Sequence, residues 1–164
     1  MTLRICFVCS GNICRSPTAE VVMRRLVASA GLAGQIEVCS AGIGDWHAGA
    51  PADSRSAAAM QRRGYDASGH RARQVSRQDL VDHDLVVAMD RGHARELERM
   101  LPAASAGEVR LLLSYDPAAD VLDVPDPYYG GPSGFDDVLA MIERACACLL
   151  DSVRRELPAA STDP

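Results

Sequence analysis

Within this 164-residue chain, Cys9-Ser10-Gly11-Asn12-Ile13-Cys14-Arg15-Ser16 is the segment best suited to chemistry. It has the pattern C-x5-R-S, and composition alone gives roughly 0.06 matches to it. A loop between a strand and a helix points successive N–H groups inward as a nest for an anion. A helix starting at Ser16 adds its dipole, and Arg15 is a planar fork for two phosphate oxygens. Such a field also stabilises a thiolate, the nucleophilic form of cysteine, at Cys9. Gly11 permits a tight turn, and Asn12 tolerates left-handed geometry better than most residues. Ser10, Ile13 and Cys14 complete the phosphate-binding loop, and Ser16 offers a hydroxyl to the sulfur. The bland alternative is an anion-binding loop holding an ordinary buried cysteine.

The flanking elements have to hold that loop. Leu3–Val8 reads as a buried strand before it. Ser16 reads as the N-cap of the next helix, with Pro17 at its first position and Glu20 near its third; Gly31 or Gly34 ends it. Gln35–Ser40 and Asp84–Met89 read as strands, and Val109–Leu113 as a fourth. Helices are expected from Asp53 to Gly64, over Ser76–Val81, over Gly92–Leu101 and over Ser133–Leu157. Ala41–Pro51 and Tyr115–Gly131 read as long loops. Alternating strands and helices imply an α/β three-layer sandwich: a four-stranded parallel sheet flanked by helices, flavodoxin-like. Ligands of such sheets sit at the strands' carboxyl ends, where Cys9–Arg15 leaves the first strand. A single domain is expected over residues 1–157, with a disordered tail over 158–164.

Composition narrows the chemistry. All 17 basic residues are arginine, so a Walker A lysine, a kinase strand lysine and a pyridoxal Schiff base are excluded. The net charge of −5, with no basic stripe, argues against a nucleic-acid partner. No apolar run reaches membrane-spanning length, and no secretory pattern opens the chain, so a cytoplasmic location and no membrane partner are expected. The six cysteines then read as reduced thiols. Cys6-Phe-Val-Cys9 fits C-x-x-C, but residues three apart on a strand face opposite sides. Cys146 and Cys148 diverge on a helix, and Cys39 reads as a buried strand residue. No metal site and no cofactor are expected from these.

The loop with its flanks, Val8 to Pro17, resembles the signature of the low-molecular-weight protein tyrosine phosphatases. Ser40-Ala41-Gly42 with Trp46, Gly69-His70-Arg71-Ala72-Arg73-Gln74, and Asp126-Pro127-Tyr128-Tyr129 resemble three further segments of that family. Order and spacing match over nearly the whole chain. Trp46-His47, Asp126–Gly130 and the missing lysine look most like actinobacterial members. The resemblance implies hydrolysis of phosphotyrosine and small aryl phosphates through a phosphocysteine on Cys9. Arg15 would bind phosphate and Asp126 would act as general acid and base. It implies a loop-supporting network of Asn12, Ser40 and His70, and pocket walls at Trp46, Tyr128 and Tyr129. Without it, Asp126 reads equally as a turn residue, Ser40 as a strand end and His70 as a surface histidine. The two tyrosines alone would be ordinary loop residues.

Cys14, in the same loop as Cys9, is a candidate redox partner able to bridge it, or else a small apolar filler. Tyrosine-phosphorylated proteins, and inorganic phosphate or other oxyanions, are the expected partners of a monomer. Three rival readings are weaker. Arsenate reductases of this fold need resolving cysteines that Asp79–Asp90 lacks. Protein-arginine phosphatases carry threonine where this chain has Ile13. A non-catalytic phosphate-binding module would be expected to lose Cys9 or Asp126.

Overall fold

The computed structural model describes residues 2–105, 107–130 and 133–158. The expected tail, apart from Pro158, lies outside them. Four strands, β1 (Leu3–Cys9), β2 (Ile36–Gly42), β3 (Leu85–Ala88) and β4 (Glu108–Leu111), pair in parallel in the order β2-β1-β3-β4. Five helices connect and cover them: α1 (Arg15–Ser29), α2 (Ser54–Arg62), α3 (Arg77–Asp82), α4 (Arg91–Met100) and α5 (Ser133–Arg154). This is the flavodoxin-like three-layer arrangement expected from the sequence. None of the described helices is long and apolar enough to cross a membrane.

The period of two along β1 divides the core. Ile5, Phe7 and Cys9 face a cluster built with Val22 and Met23 of α1, Met60 of α2, and Ile142 and Leu149 of α5. Cys6 and Val8 face the other layer, with Leu80 of α3 and Leu97 of α4. Cys6 and Cys9 therefore diverge as expected. The chain moves from β1 outward to β2, then back across β1 to β3. The loop after β1 lies at this switch point, at the carboxyl ends of the strands.

Several boundaries differ from the sequence reading, each for a physical reason. α1 starts at Arg15, and its N-cap is Cys14, with no side-chain cap hydrogen bond. Ser16 is not the cap, because its hydroxyl turns to Cys9 and Asn12 instead. The first N–H groups of α1 thus stay without a capping side chain, as an anion-binding helix start requires. Pro17 remains harmless in this first turn, where its missing N–H breaks no bond. β2 runs on to Gly42, because Ala41 and Gly42 pair with Val8 and Cys9. β4 ends at Leu111, and Leu112–Tyr115 forms a 3₁₀ turn that buries Leu112 and Leu113. A second 3₁₀ turn, Pro127–Tyr129, interrupts the long loop. α4 starts at Arg91 because Asp90 caps it, its Oδ1 accepting from His93 N at 2.9 Å. Cys39 is half-buried rather than buried, with Sγ 3.1 Å from His83 Nε2.

Candidate active site

Asn12 is the pivot of the loop. Its φ is 58°, the one left-handed non-glycine position among the described residues, and asparagine tolerates this at least cost. Its side chain is fully buried. Asn12 Nδ2 donates to Ser16 Oγ at 2.8 Å and to Ser40 Oγ at 3.0 Å. Its Oδ1 accepts from Arg73 N at 3.0 Å, and its carbonyl accepts from His70 Nε2 at 2.7 Å. One side chain thus ties the loop to α1, to β2 and to the 70–73 segment. Below His70 lies Glu20, whose Oε2 is 3.9 Å from His70 Nδ1. Burial pushes the Glu20 carboxyl up from its ordinary value.

Cys9 Sγ lies 2.9 Å from Ser16 Oγ. The hydroxyl accepts from Asn12, so its single proton is free for the sulfur or for Ala41 O at 3.3 Å. The shorter contact favours the sulfur, and a thiolate there receives a charge-assisted hydrogen bond. Burial, helped by Asp53, raises the Cys14 thiol to about 12.

Arg15 is buried and comes into the site from the first turn of α1. Its Nη1 commits both protons, to Asp90 Oδ2 at 3.0 Å and to Val124 O at 2.9 Å. That anchorage leaves the Nε–H and Nη2 edge for an anion. Nη2 lies 3.3 Å from Ser10 Oγ and 3.5 Å from Asp126 Oδ2. Asp126 Oδ1 is held by Tyr128 N at 3.0 Å, capping the 3₁₀ turn. Its second oxygen therefore faces the arginine.

The cleft over this loop encloses about 550 Å³. Cys9, Ser10, Gly11, Ile13, Cys14 and Arg15 form its floor. Trp46, His47, Asp126, Tyr128 and Tyr129 form its walls. Tyr128 packs edge-on against Tyr129, with ring centroids 4.9 Å apart. Trp46 and Tyr129 are 69% and 88% exposed, so they make a rim rather than a buried wall. Arg55 braces this side: its guanidinium lies over the Tyr128 and Phe135 rings and donates to Tyr128 O at 3.2 Å.

The structure thus gathers the loop residues Cys9–Ser16, Ser40, His70, Trp46, Asp126, Tyr128 and Tyr129 around one cleft and its supports. It adds several that the sequence did not single out. Asp90 and His93 stand at the carboxyl end of β3, and His93 Nε2 is 2.8 Å from Ser10 Oγ. Burial, with Arg15 nearby, lowers His93 to about 4 against the opposing pull of Asp90. Asp90 Oδ1 lies 3.2 Å from His93 Nδ1 but is not aligned for a hydrogen bond, and Nδ1 has no partner. Arg55 was also missed; His47 and Arg73 stood in the resembling segments without a role, and Asp53, read as a helix cap, is one. The position of Asp90-Arg91-Gly92-His93 just after a buried strand was the available signal for Asp90 and His93.

A strand-to-helix loop presenting a cysteine and an arginine at the switch point defines an α/β protein built to hold an oxyanion against a thiol. The chain belongs to the low molecular weight phosphotyrosine protein phosphatase family, whose model matches residues 4–159. It is 51% identical to a low molecular weight protein-tyrosine-phosphatase of Streptomyces coelicolor, covering 96% of this chain and 97% of that one. The crystal structure of YfkJ from Bacillus subtilis superposes with a TM-score of 0.90 at 42% identity, covering 96% and 98%. A Drosophila arginine phosphatase superposes at 0.86 with 31% identity, covering 98% and 100%. Protein-tyrosine-phosphatase activity, a hydrolase activity on phosphotyrosine, goes with this membership.

Proposed function

We propose that the chain hydrolyses phosphotyrosine in two steps, with Cys9 as nucleophile and Asp126 as proton donor and acceptor. The observation that carries this reading is the shared cleft in which the Cys9–Ser16 contact, the Arg15 edge and Asp126 Oδ2 meet. The substrate's phosphate lies in the nest, its oxygens on loop N–H groups and on Arg15. Cys9 Sγ attacks phosphorus, the P–O bond to the phenol breaks, and Asp126 Oδ2 delivers a proton to the leaving oxygen. Asp126 then takes a proton from water as that water attacks the phosphocysteine, releasing phosphate and the thiolate. Ser16 steadies the thiolate both as leaving group and as nucleophile.

Trp46, Tyr128 and Tyr129 flank the aryl ring, and this aromatic rim favours phosphotyrosine over phosphoserine, which has no ring to stack. Ile13, apolar on the cleft floor, offers no hydroxyl to a P–N substrate, which supports tyrosine over arginine as the phosphorylated residue. The proposed setting is a monomer acting on tyrosine-phosphorylated proteins in the cytoplasm. Asp126→Ala is expected to slow phenyl phosphate turnover by about 100-fold or more. p-Nitrophenyl phosphate, whose leaving group needs less protonation, should slow less. Equal slowing of both would remove Asp126 from the acid role. Cys9→Ser should abolish turnover of both, and the parent should turn over phosphoarginine, run alongside, far more slowly than either.

Cys14 is proposed as the redox partner of Cys9. Peroxide converts the Cys9 thiolate to a sulfenic acid; the Cys14 thiol displaces water from it and closes a disulfide. After peroxide followed by a thiol reductant, the parent should regain activity while Cys14→Ser stays largely inactive. Equal recovery would remove Cys14 from this role.

A further inference from the structure

Behind the phosphate loop, on the sheet face covered by α3 and α4, three ligating atoms converge. Cys6 on β1 and Cys39 on β2 are register partners across the parallel ladder. His83 follows the last turn of α3. The two sulfurs and a His83 ring nitrogen all lie within 4.8 Å of one another. His83 Nε2 is 3.1 Å from Cys39 Sγ. Its other nitrogen, Nδ1, donates to Asp79 O at 2.8 Å. A backbone carbonyl on the far nitrogen fixes the tautomer that leaves Nε2 with a lone pair, the arrangement found behind metal-bound histidines. Cys39 opens onto a cleft of about 640 Å³, bordered by Arg4, Arg24, Arg73, Asp79 and Asp82.

We propose that Cys6, Cys39 and His83 form a binding site for a soft divalent cation, zinc foremost, with a fourth coordination position facing this cleft. Two thiolates and an imidazole are a donor set suited to zinc. Tetrahedral bonds of ~2.3 Å to sulfur and ~2.0 Å to nitrogen put the sulfurs about 3.8 Å apart and each about 3.5 Å from the nitrogen. The cluster needs adjustments of a few tenths of an ångström to about one to meet that. A Cys6–Cys39 disulfide fits less well. It wants Cβ atoms ~3.8 Å apart, whereas neighbouring strands run ~4.8 Å apart, and it would give His83 Nε2 no partner.

Arg73 already sets a positive charge against the two sulfurs. Arg73 Nη2 lies 3.5 Å from Cys39 Sγ and 3.9 Å from Cys6 Sγ. Its Nη1 is on Asp79 Oδ2 at 3.0 Å, and the side chain is 42% exposed. It can cede the sulfurs to a metal and keep its carboxylate. Ligation of the two sulfurs as thiolates releases their protons to solvent. The site adjoins the loop's supports: Ser40 follows Cys39, and the Arg73 N–H holds Asn12.

The test titrates the reduced, metal-free, untagged full chain with Co²⁺, then with Zn²⁺ as competitor. One equivalent should bind with the intense visible bands of tetrahedral cobalt and a near-ultraviolet sulfur-to-cobalt band. Zn²⁺ should bleach both and raise Tm. Cys6 is fully buried, so Cys39→Ser and His83→Ala carry the test, with circular dichroism confirming their fold. Each should weaken Co²⁺ binding by about 100-fold or more, while Cys9→Ser leaves the spectrum unchanged. A weak octahedral spectrum, or one lost with Cys9→Ser and kept in Cys39→Ser, would overturn the proposal. So would a Cys6–Cys39 disulfide found by mass spectrometry in protein that binds no cobalt after reduction.

Discussion

Asn12 concentrates more of this site's architecture than any charged residue does. It holds a left-handed backbone and three side-chain hydrogen bonds, the two to Ser16 and Ser40 fully buried. Asn12→Ala leaves the Arg73 N–H without its acceptor and the Ser16 and Ser40 hydroxyls without a donor. It also puts a residue with no local hydrogen bond into the left-handed region. A loss of about 3 kcal/mol in urea unfolding is expected. kcat for p-nitrophenyl phosphate should fall by roughly 100-fold, since loop misplacement of an ångström costs that much. A wild-type kcat would mean the loop is held by its own backbone alone. Arg15 follows the same logic, because Asp90 and Val124 O fix one end so that the other is already aimed.

At the scale of elements, the loop is shaped by how closely β2 passes it. A Cβ on Gly42 would meet Ser10 O at 2.9 Å and both Asn12 N and Gly11 C at 3.0 Å, all backbone. Gly42→Ala must therefore push the nest. Destabilisation of about 1–3 kcal/mol is expected, with kcat/KM down by more than about 10-fold. Gly34→Ala is the matched control, because nothing lies within 4 Å of its Cβ position; its kinetics should equal the parent's. Comparable kinetics in both variants would show that the loop tolerates displacement. The uncapped start of α1 belongs to this scale too. A stronger cap at Cys14 would satisfy the N–H groups that an anion needs.

At the scale of the whole molecule, a pH dependence of stability is expected from His93. Its folded pKa, about 4, lies below the ordinary value near 6.5, chiefly through burial. Between those values the unfolded chain binds the proton and the folded chain does not. Stability from this group is therefore complete above about 6.5 and is lost as pH falls towards 4. The loss is on the order of 2–3 kcal/mol. His93→Gln keeps a hydrogen bond to Ser10 within reach and removes the titration. Urea midpoints measured from pH 7.5 to 4 should fall less steeply in the variant than in the parent. Parallel curves would assign the acid sensitivity to other groups.

The loop, its two chemical residues and the parallel sheet were legible in the sequence, because they are local: a spacing, a strand pattern and a helix start. The pairing of Asp126 with Arg15 was legible only through family resemblance, since it joins residues far apart in the chain. Asp90, His93 and Arg55 were not legible, because a single acidic or basic side chain gives no sign of what lies across a switch point. The Cys6–Cys39–His83 cluster shows the limit most plainly. The Cys6-Phe-Val-Cys9 spacing rightly set its two thiols on opposite faces. Only the β1–β2 register, with α3 laid over it, brought Cys6 to another cysteine and a histidine. Sequence determined which chemistry the chain carries, because that is written in residue types and short spacings. Tertiary structure decided which groups share a dielectric, a proton or a cation, because those are matters of distance across elements.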